Sequence, residues 1–479
     1  MQSKTIRLIS GIVLALLVVL FNPFNISSQA NSVLAVATLM ISWWILEALP
    51  MPVVALLPLV FFPLLKIESL SEAAAPYANP VIFLFLGGFM LGLAIEKWQL
   101  HKRIALNIVR LTGTSGNRIV LGFILATGLL SMWLSNTATT MMMFPIALSV
   151  IHVMKENGNG NGNIANFSLT IMLAIAYASN FGGIATIIGT PPNVAYVNHI
   201  NVKYGFSISF MDWMKLCMPI AILLLFALYF VMVKWLYPNH IESSHATREH
   251  IREEVEKLGP LSKAEKRVLI IFISTAVLWM ARGLINSSQD FIRLDDTIIA
   301  ITCAVSLFIC PSGKEDEALL EWPDTNKMAW GILLLFGGGI SMANALEKVG
   351  LITNLGHWLA SFSGNALVLV ILICIVTIFI SEVMSNVAQV IVFAPVVSSM
   401  ADALGINPLL LGIPMSLAAS CASMLPMGTP PNAIVFASGH IRLHHMTRAG
   451  FVMNIVSVIL VVLICWLMLP ILGFSNLKL

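Results

Sequence analysis

This sequence has little charge: charged side chains make up 10% of its 479 residues, against roughly a quarter in ordinary soluble domains. Hydrophobic residues account for 58% and the mean hydropathy is +0.90, which excludes a soluble globular fold and leaves an all-α polytopic membrane protein. Cysteine is scarce too. The six residues Cys217, Cys303, Cys310, Cys374, Cys421 and Cys465 lie within or beside apolar segments without metal-like spacing, and read as small core residues. Catalytic constellations are missing. His101, His152, His199, His357, His440, His444 and His445 fall mostly near the ends of apolar segments, and neither a His-Glu-x-x-His pair nor a serine-base pairing occurs, so no enzyme and no cofactor is called for. The net charge of +3 gives no reason to expect a nucleic-acid partner, because the 26 Lys and Arg sit in a few loops where they mark topology.

What is present is a succession of apolar segments, at about 8–24, 33–49, 51–65, 80–96, 119–134, 138–154, 168–188, 213–236, 267–286, 296–311, 329–346, 365–383, 388–401, 408–427 and 447–472. The first follows Lys4 and Arg7 without a small-x-small cleavage site behind it, and reads as a retained span. The pairs 119–134/138–154 and 365–383/388–401 turn at Ser135-Asn136-Thr137 and Ser385-Asn386-Val387. Such tips are too short for exposed loops between spans, so each pair is expected to be a re-entrant hairpin with its tip inside the protein. Two hydrophilic breaks read as connectors: Asn157 to Asn163 alternates Asn and Gly, and Asn239 to Lys266 mixes both signs of charge as a solvated helix does.

With the amino terminus inside and each hairpin returning to its own side, eleven transmembrane crossings place the carboxyl terminus outside. Lys66, Lys203, Lys215, Arg282, Arg293, Lys348 and Lys478 then lie outside and the other nineteen basic residues inside, the asymmetry that fixes orientation in a cell membrane.

The chain also repeats itself. Leu86-Gly87-Gly88 with Ala94-Ile95-Glu96-Lys97 recurs as Phe336-Gly337-Gly338 with Ala345-Leu346-Glu347-Lys348. The Ser-Asn tip recurs, and Gly189-Thr190-Pro191-Pro192-Asn193 returns unchanged as Gly428-Thr429-Pro430-Pro431-Asn432. Three motifs in the same order imply a duplication. An odd number of crossings separates the copies, so the halves are expected to be inverted, the pattern of secondary transporters with a midplane site between repeats. The expected organisation is a first span at 1–32, one repeat at 33–236 (hairpin 119–154, broken helix 168–203), a cytoplasmic connector at 237–266, and a second repeat at 267–479 (hairpin 365–401, broken helix 408–440).

In Gly-Thr-Pro-Pro-Asn two prolines remove backbone donors and a glycine admits unusual dihedrals, so a helix entering it must unwind. In a bilayer the freed carbonyls are tolerable only in a protein-lined or watered cavity, where they can coordinate a cation while the restarting helix offers amides to an anion. Ser131 and Ser381 each lie on the helical face of the tip serine four residues on. These hydroxyls and the amide oxygens of Asn136 and Asn386 are hard ligands suited to an alkali cation, and Thr137 and the helix starts after the tips point donors at an anion. Across 119–154, 168–198, 365–401 and 408–439 there is no Lys or Arg, and Glu382 is the one acid. Bringing a dianion into such a place without fixed cations is costly, so mobile cations are expected to accompany it. Glu382 reads as a structural carboxyl hydrogen-bonded near the hairpin, with proton coupling as the alternative. A duplicated anion channel would need a continuous polar pore, which the hairpins would plug.

The run Ser135-Asn136-Thr137-Ala138-Thr139-Thr140, its partner Ser385-Asn386-Val387 and the two Gly-Thr-Pro-Pro-Asn segments together resemble the divalent-anion:sodium symporter family, carriers of dicarboxylates, citrate or sulfate. The resemblance covers nearly all of the chain from about residue 33. It implies eleven transmembrane helices with two re-entrant hairpins, a homodimer in the lipid membrane, and an elevator mechanism. It further implies one sodium site from Ser131, Ser135, Asn136 and Gly189 and another from Ser381, Met384 (through its carbonyl), Asn386 and Gly428. Substrate carboxylates would meet Asn136, Thr137, Thr190 and Pro191 from one half and Asn386, Val387, Thr429 and Pro430 from the other. Val387 replaces the threonine of the first tip, so the two ends of a substrate would be gripped unequally. The expected function is sodium-coupled symport of C4 dicarboxylates such as succinate, malate or fumarate, with citrate or sulfate symport, or dicarboxylate exchange, as alternatives.

Overall fold

The computed structural model describes residues 2–156, 163–242, 245–289, 291–360 and 365–472. Most of the Asn-Gly linker expected after the first hairpin, and the tail carrying Lys478, lie outside the described residues.

Helices α1 (Gln2–Phe21) and α2 (Ser28–Ile45) pack as a pair and are followed by the short α3 (Met51–Val54), α4 (Leu57–Leu64) and α5 (Leu70–Ala74). The span expected at 51–65 is thus two pieces. Pro52 and Pro58 each stand in the first turn of one of them, where a proline starts a helix but cannot continue the preceding one. Next come α6 (Pro80–Lys97), α7 (Leu100–Thr112), the first hairpin α8 (Gly116–Ser131) and α9 (Asn136–Glu156), and the broken helix α10 (Ile164–Gly183) and α11 (Pro191–Tyr204). Helix α12 (Phe210–Tyr229) ends in a π-helical turn, Phe230–Leu236, and α13 (His245–Lys257) is the charged connector. The second part holds α14 (Lys263–Ser288), α15 (Asp296–Ile309), a 3-10 turn Trp322–Lys327, α16 (Trp330–Lys348) and α17 (Leu351–Ala360). It closes with the hairpin α18 (Ala366–Ile380) and α19 (Asn386–Leu404), the broken helix α20 (Pro408–Ser420) and α21 (Pro430–Phe436), and α22 (Leu443–Ile471).

Among the described residues the chain is all-helical, with one isolated bridge between Pro311 and Ala318, and nine helices are long and apolar enough to cross a membrane. Sequence reading passed over α7 and α17, which follow the two Glu-Lys motifs. Helix α7 carries an apolar stripe beside a polar face, so its mean hydropathy stays below that of a span, and α17, at ten residues, is too short to be one.

Burial places the centre. The apolar window of α10 is 83% buried and that of α1 only 6%, so α10 is enclosed by other helices and α1 lies at the rim. Helix α10 packs on α8 and α9, and α20 on α18 and α19. Each restarted helix then crosses to the other copy: α11 packs on α19 and α21 on α9. A second group surrounds α16, which touches α2, α3, α4 and α6, while α6 packs on α15 and α15 on α14. The two groups meet where α16 lies against α11 and α19.

Candidate functional site

In the first hairpin, fully buried Ser131 closes α8, and its Oγ donates to Asn136 Oδ1 at 2.8 Å. The last residue of one arm is thereby clipped to the first of the other. Ser135 Oγ accepts from Ala138 N at 3.2 Å, so this serine caps α9, and Thr137 beside it is half-buried. Opposite the tip, α10 unwinds after Gly183. A Cβ at Gly183 would strike Asn136 Oδ1, and one at Gly189 would strike the carbonyl oxygen of Gly183 and come within 3.0 Å of that of Met132. Ser131, Asn136 and Gly189 are therefore brought together with two further backbone carbonyls. The turn is tied internally: Thr186 Oγ1 donates to Met132 O at 2.5 Å and accepts from Gly189 N at 3.0 Å. Asn193 Nδ2 donates to Thr186 O at 2.8 Å and, more loosely, to Gly183 O and Ile184 O. Part of what unwinding frees is thus claimed by the motif's own asparagine, which answers the cost of an unpaired carbonyl in a buried place.

The second copy repeats the clip. Ser381 Oγ lies 2.7 Å from Asn386 Oδ1 and 2.6 Å from Ala419 O, sharing one proton between them. Asn432 Nδ2 donates to Leu425 O at 3.1 Å, and Thr429 caps α21 by accepting from Asn432 N at 3.3 Å. Thr190 stands at the start of α11 without such a cap bond; Pro191 beside it is half-buried and Pro430 exposed. Val387 occupies the half-buried place that Thr137 has in the first tip.

Glu382 is hydrogen-bonded beside the second tip. Its carboxylate accepts from the backbone N–H groups of Ser423 at 2.8 Å, Met424 at 2.9 Å and Leu425 at 2.9 Å, and from Asn454 Nδ2 at 2.7 Å. The unwound segment after α20 is therefore held by a side chain where the first copy uses Thr186 and a backbone carbonyl. Glu382 also supplies the atoms nearest a Cβ at Gly428, whereas Met384 is buried in the same turn two residues on.

Sequence reasoning missed the link between the copies. Asn136 Nδ2 donates to Asn180 Oδ1 at 3.4 Å, and Asn180 Nδ2 donates to Thr429 Oγ1 at 3.2 Å. A buried asparagine inside an apolar helix is a signal that could have found Asn180, and also Asn454.

A cavity of about 90 Å³ opens beside Ser135 and Ala138 and is walled by Gly88, Gly92, Glu96 and Lys327. The motif segments carry no basic residue, yet the fold brings Lys327 of the 3-10 turn to the rim of the first tip. On the Glu96 side a wider cavity of about 480 Å³ reaches between α7, α9 and α13. A larger apolar cavity of about 730 Å³ between α2, α16, α17 and α19 touches none of the motif residues, so size alone does not mark the site.

Comparison with known proteins places the chain as a whole. Residues 2–473 match the family model for the sodium:sulfate symporter transmembrane region. The chain belongs to this symporter family. It is a transporter, not an enzyme. Sodium-dependent dicarboxylate transporters named SdcS from Staphylococcus saprophyticus and from Staphylococcus aureus USA300 are each 38% identical to it, over 98% of this chain and 92% of theirs. In fold, the symporter is similar to the YdaH transporter of Alcanivorax borkumensis, with a TM-score of 0.58 and 14% identity over 85% of this chain and 87% of that one. MtrF of Neisseria gonorrhoeae gives 0.57 and 11%, over 84% and 83%. At these identities the likenesses show the helical membrane-transporter fold alone.

Proposed function

We propose that this protein is a sodium-coupled symporter that imports C4 dicarboxylates such as succinate, malate or fumarate. The observation that carries the reading is the duplicated clip, Ser131 to Asn136 and Ser381 to Asn386, set against unwound helices in segments without Lys or Arg. Hydroxyl, amide and carbonyl oxygens are the hard, uncharged ligands that suit sodium. We assign one sodium to Ser131, Ser135, Asn136 and Gly189, with the carbonyls of Met132 and Gly183 at hand. The other falls to Ser381, Met384, Asn386 and Gly428. The carboxylates are assigned to Asn136, Thr137, Thr190 and Pro191 in one half and Asn386, Val387, Thr429 and Pro430 in the other, next to the starts of α11 and α21. Two bound sodium ions would supply there the positive charge that the motif segments lack. The dicarboxylate specificity of the SdcS relatives favours this substrate class over sulfate.

The same reading includes eleven crossings in two inverted repeats, a homodimer in the cell membrane with the amino terminus cytoplasmic and the carboxyl terminus outside, and an elevator motion. In that motion the hairpins and broken helices slide as one body against the group around α16. The test is uptake of labelled succinate into proteoliposomes with and without an inward sodium gradient, with unlabelled citrate and sulfate as competitors. Sodium-driven uptake blocked by excess succinate is expected. Uptake indifferent to sodium would overturn symport, and block by sulfate alone would overturn the substrate class.

A further inference from the structure

We infer that Asn180 is the positioning residue through which sodium at the first hairpin prepares the second half of the site for a carboxylate, an inference that rests on the function proposed above. The argument is a hydrogen-bond inventory. Thr429 Oγ1 accepts from Asn180 Nδ2 at 3.2 Å and from Asn432 N at 3.3 Å. Both lone pairs of the hydroxyl are then engaged, and what it has left to offer is its proton. A hydroxyl so held is a dedicated donor, which suits a carboxylate and rejects a cation. Asn180 donates in this direction with its Oδ1 turned to Asn136 Nδ2 at 3.4 Å.

Asn136 is oriented in turn by Ser131, which donates to Oδ1 at 2.8 Å. The order of donation therefore runs Ser131, Asn136, Asn180, Thr429, from the proposed first sodium site to the first turn of α21. A cation drawn to Asn136 Oδ1 polarises that amide, strengthens its donation to Asn180, and through Asn180 holds Thr429 with its proton outward. Asn180 and Thr429 are 1% and 3% exposed, so water does not compete for the bond between them.

Among the described residues this relay starts from the first hairpin alone. Asn180 stands nine residues before Gly189, and nine before Gly428 stands Ala419, whose carbonyl accepts from Ser381. The second clip therefore lacks an asparagine in the equivalent place.

The experiment measures labelled succinate binding to the purified full-length protein across a sodium series. The ratio of succinate Kd at low and at saturating sodium is taken as the coupling factor. Asn180→Ala is expected to lower that factor about five- to ten-fold, within the range of a single coupling contact, with a smaller effect on succinate affinity at saturating sodium. Asn180→Asp, which keeps the shape but takes Thr429's proton instead of donating, should lower it at least as far. Thr429→Val should lower it alike, and Asn180→Ala added to Thr429→Val should change it little further. A folded Asn180→Ala or Asn180→Asp protein with the parent's coupling factor would overturn the inference, as would effects of Asn180→Ala and Thr429→Val that multiply. If Asn180→Ala does not fold, Asn180→Asp and Thr429→Val still decide. A parent whose succinate binding ignores sodium would overturn the symport reading itself, an outcome separate from these.

Discussion

Gly183 and Asn136 meet so closely that a single methyl separates a working clip from a broken one, since a Cβ at 183 would strike the asparagine's amide oxygen. Gly183→Ala is therefore expected to raise the sodium concentration for half-maximal transport by about ten-fold or more, the loss of one to two hydrogen-bond equivalents, while the protein still folds. Asn136→Ala and Asn386→Ala should each raise it several-fold; sodium and succinate titrations that match the parent in both would remove the assignment of these tips. Glu382 belongs to a different class of residue. It holds three backbone amides and Asn454, so Glu382→Gln turns an acceptor into a donor facing donors. A loss of about 2–4 kcal/mol of stability is expected, read as an earlier thermal unfolding midpoint in detergent, with no dependence of the parent's uptake on a proton gradient at saturating sodium.

Helices meet at a junction that can be tested. Lys203 of α11 reaches Asp402 of α19 at 2.9 Å and Glu347 of α16 at 3.6 Å, so it ties both the restarted helix and the hairpin arm to the other group of helices. A partly exposed pair of this kind is worth up to about 1 kcal/mol. Lys203→Met should thus shift the balance between joined and parted states about two- to five-fold. The measurement is the labelling rate of an Asn344→Cys thiol, in the small cavity between α11 and α16, by a water-soluble maleimide. An unchanged rate would mean that this junction does not part.

The elements show how far a sequence can be read. The turns between α8 and α9 and between α18 and α19, and the breaks after α10 and α20, were legible because short Ser-Asn tips and Pro-Pro pairs are local, and each forces its own turn. The division of 51–65 was written there too, in Pro52 and Pro58, but a hydropathy scan averages over them. Helix α7 escaped because a half-polar helix has no excess of hydropathy, and α17 because ten residues are too few for a span.

At the scale of the whole molecule burial is unequally distributed: α10 is enclosed while α1 exposes its apolar side chains. If the enclosed group carries the solute past the group around α16, reconstituted protein should show succinate uptake that saturates, scales with the sodium gradient and stops at low temperature before binding is lost. A rate that rises linearly with succinate concentration would instead describe a channel.

The sequence by itself determined the class of protein, the two motif pairs and their poverty of charge, because hydropathy, proline and turn chemistry act within a few residues. Only the tertiary structure decided which atoms face one another. Asn180 meets Thr429 across 249 residues, Glu382 reaches the backbone beyond α20, and Lys327 arrives at the rim of a tip whose own segment has no cation. Such pairings depend on how helices cross, which is set by packing of the whole chain, so a residue's own neighbourhood can mark it as unusual but not name the partner it meets.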